Sequence, residues 1–122
     1  MKQAKLDRLQ EICESLDWYF SHDNGAGTIM LRQYSPAGED FGFTISDKYP
    51  IEDIVTAYYC FDVEEHVTSW LDAKRNGVSG VPDVVTLVDD ANEISNMLEE
   101  LKDKCCDLKL EFESLGDEDV PD

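Results

Sequence analysis

Adjacent carboxylates are the residues of this chain whose type and spacing could do chemistry. Examples of such pairs are Glu39-Asp40, Asp89-Asp90 and Glu99-Glu100. General acid–base catalysis uses two carboxylates that share a pocket but differ in environment. The chain has 28 Asp and Glu among its 122 residues, so neighbouring acids arise by chance, and their periodicity places them on solvated surfaces. The pairs therefore do not predict a catalytic site.

The other reactive residues lack partners at a useful spacing. His22 and His66 are far apart in sequence and have no ligand-like neighbours. The four cysteines are Cys13, Cys60, Cys105 and Cys106, and they form no C-x-x-C motif for zinc. Three of the four lie in apolar-periodic stretches, where we expect reduced, packed thiols. The glycine-rich stretch 24–27 has no adjacent lysine, so it predicts a turn rather than a phosphate-binding loop. We predict no catalytic residue, no metal and no cofactor, with a small metal-dependent enzyme as an alternative.

Apolar periodicity predicts an α+β fold. Residues 3–16 have the spacing of an amphipathic helix, and residues 17–47 read as a three-stranded antiparallel meander with one face against helices. Two shorter helices follow, one beginning at Pro50 and one capped by Asp62. A long helix over Asp83–Lys109 ends the fold.

The core is expected between the meander and the helices. Phe41, Phe43 and Ile45 alternate with polar residues, so all three should face the helices. We expect a single domain over residues 1–115 and a frayed acidic tail over residues 116–122.

The long helix carries an apolar heptad whose spacings alternate between three and four: Val84, Leu87, Ala91, Ile94, Leu98, Leu101, Cys105 and Leu108. Such a stripe packs either within one chain, across the sheet and on the first helix, or as a seam between two copies. Val88 and Met97 broaden the stripe, which favours contact with several elements. A structural or assembly protein that forms a homodimer through this helix is a second alternative function.

Charge is the most unusual property of the chain. Its net charge is −18, with 10 Lys and Arg against 28 Asp and Glu, which excludes charge-driven binding to nucleic acid or to anionic membranes. Most of the excess acid lies in residues 51–122. The acids either keep the protein soluble or imitate nucleic-acid phosphates towards a basic partner, and in the second case the predicted contact residues are Glu64, Glu65, Asp72, Asp89, Glu93, Glu99, Glu100 and Asp103.

Charge density sets a condition on mimicry. A duplex carries one charge per about 1.7 Å of axis. The acids of the long helix are spaced at roughly one per 5 Å, given a rise of about 1.5 Å per residue. Mimicry therefore requires a second acidic helix on the same face, or a dimer.

Two loops have more distinctive residues than a turn needs. Residues 34–41 surround a tight turn, and residues 75–82 contain two glycines and a proline. Arg75 either pairs within the chain near a helix C-terminus or contacts a partner. We add both loops to the predicted partner-binding surface through Tyr34, Glu39, Asp40, Arg75 and Asn76.

These loops, together with residues 61–67 and Trp70, resemble a family of small acidic proteins from phages and conjugative elements of Gram-positive bacteria. The similarity covers about residues 34–100. It implies no catalytic residues. It implies a mobile-element context, in which proteins of antirestriction and anti-CRISPR type bind the nucleic-acid groove of a host defence enzyme, an analogy at the level of genetic context.

The sequence thus predicts a non-catalytic protein-binding module. Its expected partner is a protein with a basic surface, such as a nucleic-acid-binding enzyme, and direct contact with nucleic acid or membrane is not expected. No apolar run has the length of a signal peptide or a membrane span, so we expect a cytoplasmic location.

Overall fold

Four helices and three strands make up the described part of the chain, residues 3–114, in a computed structural model. The predicted tail at residues 116–122 lies outside the described residues. The α+β fold is confirmed, from the N-terminal helix through the meander and two shorter helices to the long last helix. In chain order the elements are α1 (Gln3–Ser15), β1 (Tyr19–Asp23), β2 (Thr28–Tyr34), β3 (Asp40–Ser46), α2 (Pro50–Cys60), α3 (Val63–Arg75) and α4 (Val84–Ser114).

The sheet is an antiparallel meander in the order β1-β2-β3. The first hairpin closes between Asp23 and Thr28, and the second between Tyr34 and Asp40. Gly38 in the second turn has φ +92°, a left-handed conformation that glycine adopts without steric strain. The two tight turns stack the three strands side by side, so one sheet face is free to receive the helices.

The predicted sheet register is confirmed. Ile45 is buried, and Phe41 and Phe43 pack against the same core. Their rings contact Trp18 edge-to-face, with centroids 6.3 Å and 5.7 Å away. The other sheet face lacks a helical cover and exposes Tyr19 and other residues of the three strands.

Capping residues define both ends of α3 and the start of α4. Asp62 accepts a hydrogen bond from the backbone N–H of Glu65 at 3.2 Å, as the sequence predicts. Asp83 accepts one from Thr86 at 2.8 Å, and this bond holds the pKa of Asp83 below its ordinary value. Asn76 is the C-cap of α3. These caps satisfy backbone groups that a helix end leaves unpaired.

α4 lies between α1 and α2 and runs antiparallel to both. Arg8 near the start of α1 contacts Glu111 near the end of α4. On the other side, Glu52 at the start of α2 contacts Lys109, and the Tyr58 hydroxyl farther along α2 donates to Glu99 at 2.8 Å. α3 packs on the N-terminal part of α4, where Val67 and Leu87 meet in a second small apolar cluster.

The heptad stripe of α4 is buried within the single chain. Seven of its eight predicted members are buried: Leu87, Ala91, Ile94, Leu98, Leu101, Cys105 and Leu108. The prediction was wrong for Val84, which begins the helix and is 49% exposed. Because α1, α2, α3 and the sheet already cover the stripe, a homodimer would need another surface.

No helix within residues 3–114 is long and apolar enough to cross a membrane.

Two polar or reactive side chains differ from their expected positions. Lys5, a charged residue of the amphipathic helix α1, is buried, with its Nζ 5.0 Å from the centroid of the Phe112 ring. Its aliphatic stem packs inside while the ammonium meets the ring face.

Cys60 and Cys106 are exposed, whereas Cys13 and Cys105 are buried as predicted. A hydrogen bond with Cys13, together with burial, raises the pKa of the Cys105 thiol, so it stays protonated.

Truncating a core leucine of α4 should destabilise the chain far more than truncating an exposed one. Leu98 is 1% exposed and Leu110 is 63% exposed. We expect Leu98→Ala to lower the free energy of unfolding by about 2–5 kcal/mol, and Leu110→Ala by less than about 0.5 kcal/mol. Urea titration followed by circular dichroism measures both. Equal effects would contradict burial of the stripe.

Candidate functional site

The turn between β2 and β3 is fastened to α4 by a buried carboxylate. Asp90 is 8% exposed and Ser35 is 4% exposed. The Ser35 hydroxyl donates to Asp90 Oδ2 at 2.6 Å, and the backbone N–H of Ala37 donates to Asp90 Oδ1 at 2.9 Å. Asp90 was interpreted as solvated, and that interpretation was wrong: the residue shares the inner side of α4 with Ala91, and two donors of the turn meet it there.

The same turn is fastened to α3 through Glu39. Its side chain is only 17% exposed, and its Oε2 lies 3.0 Å from Nε2 of His66. The indole N–H of Trp70 also donates to this carboxylate. Glu39 was predicted to contact a partner, but both of its oxygens are used inside the chain. The helical spacing of His66 and Trp70, four residues apart, lets both reach one carboxylate.

These contacts bring the two distinctive loops together. A cavity of about 150 Å³ lies between them, bounded by Gly38 of the first loop, Gly80 and Pro82 of the second, and Trp70. Asp90 lines it as well, yet its oxygens already have partners. The loops therefore form a structural clamp that joins the sheet to α3 and α4.

The other predicted loop residues lie apart from this clamp. Tyr34 is 70% exposed on the open sheet face, and Asp40 beside it forms an ion pair with Arg32. That ion pair raises the pKa of Arg32 above its ordinary value. At the end of α3, the Arg75 guanidinium lies 3.4 Å from Asp72, the internal pairing that was one of its two expected roles. The structure does not bring the predicted loop residues into one contact patch.

The histidines each have a carboxylate neighbour. Nε2 of His22 lies 3.0 Å from Asp47, as His66 lies beside Glu39. Among the described residues, neither histidine forms a hydrogen bond with a cysteine or serine that could act as a nucleophile. Within residues 3–114, no group of three or more His, Cys, Asp or Glu side chains is arranged to hold a metal ion.

All eight predicted acids are exposed, and α4 arranges most of them on one side. At about 100° per residue, six carboxylates fall within an arc of about 80° opposite the buried stripe. We refer to them as the α4 acidic face: Asp89, Glu93, Glu100, Asp103, Asp107 and Glu111. Glu99 lies outside this arc, turned towards α2, where it accepts the bond from Tyr58.

α1 adds a second row of carboxylates beside the C-terminal half of this face. Asp7, Glu11 and Glu14 are exposed on the outer side of α1, and antiparallel packing places them alongside residues 100–111. Arg8 marks the seam, since it contacts Glu11 at 3.4 Å and Glu111 at 3.3 Å. The α1 acids were not among the predicted contact residues, although their spacing places them on a single stripe of the helix.

The acids of α3 form a separate group. Glu64, Glu65 and Asp72 are exposed on a helix that packs on the N-terminal part of α4. They therefore do not lie alongside the row that α1 and the end of α4 share. The second helix that lies beside the C-terminal half of the α4 acidic face is therefore α1 rather than α3.

Basic residues also lie along the shared face. Lys102 pairs with Asp103 at 3.0 Å, Lys109 pairs with Glu52 of α2, and Lys104 is exposed on the same stretch of α4. The contacts of Lys102 and Lys109 raise the pKa of each lysine. Between Glu100 and Glu111 the two helices offer seven carboxylates over about 17 Å, at a rise of about 1.5 Å per residue. Arg8, Lys102 and Lys104 reduce the excess to four negative charges, or roughly one per 4 Å, which is wider than the value of about 1.7 Å for a duplex.

No family model, curated protein or solved structure matches this chain. The candidate site therefore stands on the geometry alone: a clamp that organises the loops, and an acidic surface shared by α1 and α4.

Adjacent aspartates on α4 provide a matched test of the clamp. Asp90→Ala would leave the Ser35 hydroxyl and the Ala37 N–H unpaired in a buried place, so we expect a loss of about 1–3 kcal/mol in the free energy of unfolding. Asp89→Ala removes an exposed carboxylate and should change it by less than about 0.5 kcal/mol. Chemical denaturation of both variants measures the difference, and similar values would show that the clamp is not a stabilising contact.

Proposed function

We propose that this chain is a non-catalytic protein-binding module whose acidic surface binds a basic, nucleic-acid-binding surface of another protein. The observation that carries the proposal is the row of carboxylates that α1 and α4 share. We define the α1–α4 surface as Asp7, Glu11 and Glu14 together with the α4 acidic face. The clamp, by contrast, has its polar atoms satisfied within the chain.

Three properties of the α1–α4 surface support recognition by charge. The carboxylates lie on rigid helices, whose backbones are held by the core stripe, so ordering them on binding carries little entropic penalty. Several have no salt-bridge partner in the described residues, among them Asp89, Glu93 and Asp107. The opposite sheet face carries few acids, and Asp40 there is already paired with Arg32.

The proposed role is competitive. A basic groove that holds a duplex would be covered by a surface that carries the same sign of charge as the duplex, so the chain would inhibit such a partner by exclusion. This fits an inhibitor of the antirestriction or anti-CRISPR type acting in the bacterial cytoplasm, where nucleic-acid-binding defence enzymes operate. The resemblance to mobile-element proteins supports the context, and the geometry supports the mode of binding.

Charge reversal on the α4 acidic face should abolish partner capture without unfolding the chain. We would compare the triple variant Asp89→Lys, Glu93→Lys, Asp107→Lys with a control triple variant, Glu64→Lys, Glu65→Lys, Asp72→Lys. Three reversals, each worth two charges, take both from −18 to −12, so a difference between them reports the position of the charge. Exposed charges contribute only about 0–1 kcal/mol each to stability.

The measurement is capture from a nuclease-treated lysate of a Gram-positive bacterium, at roughly 50 and 500 mM salt, where screening differs strongly. We expect the unaltered chain and the α3 variant to retain nucleic-acid-binding proteins at low salt, and added duplex DNA to displace them. The α4 variant should retain at least tenfold less. Capture that resists both duplex DNA and salt would refute charge mimicry.

A further inference from the structure

The sheet face turned away from the helices carries a depression of about 350 Å³. Tyr19 of β1 and Tyr34 of β2 line it, and they are 62% and 70% exposed. The surface of the depression is mostly apolar. Tyrosine side chains are frequent anchors of protein interfaces, so this face is a candidate binding surface on the side of the molecule away from α4.

The strand register spaces the two tyrosines for one flat ring. Tyr19 pairs directly with Arg32, and Tyr34 follows two residues later on β2, so the tyrosines are diagonal neighbours on one sheet face. Diagonal neighbours in an antiparallel pair lie about 7–8 Å apart. This is twice the carbon–carbon contact distance of about 3.5–4.0 Å, so one ring can contact both tyrosines.

Gly42 lets the Arg32 side chain lie across β3 instead of between the tyrosines. A Cβ on Gly42 would be 2.9 Å from Cγ of Arg32 and 3.1 Å from the carbonyl oxygen of Leu31. Beyond this point, Nε and Nη2 of Arg32 donate to the two carboxylate oxygens of Asp40 on β3. The arginine is therefore held on the β3 side, and the space beside Tyr19 stays open.

The hydrogen-bonding groups left free around the depression are mainly donors. Nη1 of Arg32 and the hydroxyls of Tyr19 and Tyr34 have no hydrogen-bond partner within residues 3–114. Asp40 is neutralised by its ion pair with Arg32. Asp17 is thus the one carboxylate of the lining without a partner in the described part of the chain.

We propose that this depression binds a proline-rich segment of a partner protein, in the polyproline II conformation, with a basic residue beside the prolines. Aromatic-lined grooves suit this conformation, which is preformed and so loses little entropy on binding. Proline offers a carbonyl acceptor and no N–H, which matches a site whose free groups are Arg32 and tyrosine donors. The basic residue is placed by its charge complementarity with Asp17.

Charge separates this occupant from the others that the face could hold. Single-stranded nucleic acid also stacks on aromatic side chains, but its phosphates would meet Asp17 and a chain of net charge −18. An acidic peptide or a second copy of the chain would meet the same repulsion. A proline-rich segment with an arginine is attracted. The depression shares no residue with the α1–α4 surface, so this contact is separate from the proposed function.

The direct test is an NMR titration of the ¹⁵N-labelled full chain with the peptide acetyl-Pro-Pro-Pro-Pro-Pro-Arg-amide. Two matched probes replace all the prolines by alanine, or the arginine by glutamate. We expect saturable shifts confined to the amides of residues 17–21, 30–34 and 40–44. The alanine probe should cause no saturable shift, because it lacks the rings and the preset conformation. The glutamate probe should bind several-fold more weakly than the arginine probe.

Variants of exposed residues separate binding from folding. Tyr19→Ala and Tyr34→Ala should each weaken binding of the proline–arginine probe roughly tenfold, the scale of one interface anchor. Tyr34→Phe keeps the ring and should weaken binding less. Tyr59→Ala removes a ring that is 71% exposed on α2 and should leave the affinity unchanged. Asp17→Asn should reduce the preference for the arginine probe over the glutamate probe.

Equal affinity for the proline and alanine probes, or full affinity in both Tyr19→Ala and Tyr34→Ala, would overturn the site. Shifts of the same amides with oligothymidylate, without a response to the proline probe, would show a stacking surface for bases instead. Shifts that follow protein concentration alone, again without that response, would show that a second copy covers the face. The α4 triple variant leaves every lining residue in place, so proline binding should persist in it, and the two proposals can fail separately.

Discussion

Burial of the inner stripe of α4 is the constraint on which the other elements depend. Its apolar residues face α1, α2 and the sheet over most of the helix, and α3 near its start. A helix of 31 residues is about 46 Å long, longer than any single strand of the meander, so several elements are needed to cover it. Covering one side of α4 leaves the other side to solvent, and the acids collect there.

The clamp at the β2–β3 turn solves a different problem. The sheet and the α3–α4 pair meet at this end, and the hydrogen bonds that Asp90 and Glu39 accept hold them together. Such bonds are directional, so they orient the loop and α3 more specifically than apolar packing would. The clamp thus positions α3, and with it the separate group of acids at Glu64 and Glu65.

Sequence patterns predicted the elements well because the apolar periods are long and regular. The stripe from Leu87 to Leu108 and the alternation around Phe43 leave little choice of buried face. The exceptions are polar residues whose burial depends on partners distant in sequence. From the sequence alone, Asp90 cannot be distinguished from the other acids of α4, because its partner Ser35 is distant in the chain. Glu39 likewise resembles an ordinary loop acid, because its partner Trp70 lies on another element.

The candidate surface was predictable in part for the same reason. Exposure of the α4 acids follows from their position opposite the stripe, since a helix with one apolar side must expose the other. The packing of α1 against the end of α4 is antiparallel, and no local sequence pattern encodes it. The contacts of Arg8 with Glu11 and Glu111 show that the two helices lie side by side there.

The acidic surface acts at a range that suits the encounter with a partner more than the lifetime of a complex. Charges on α1 and α4 act over a Debye length of about 10 Å at 0.1 M salt, which accelerates and orients an encounter more than it prolongs a complex. Affinity differences between related complexes arise mainly from the dissociation rate. Many basic proteins could therefore approach this face, and selectivity among them would come from contacts of shorter range than the charges themselves.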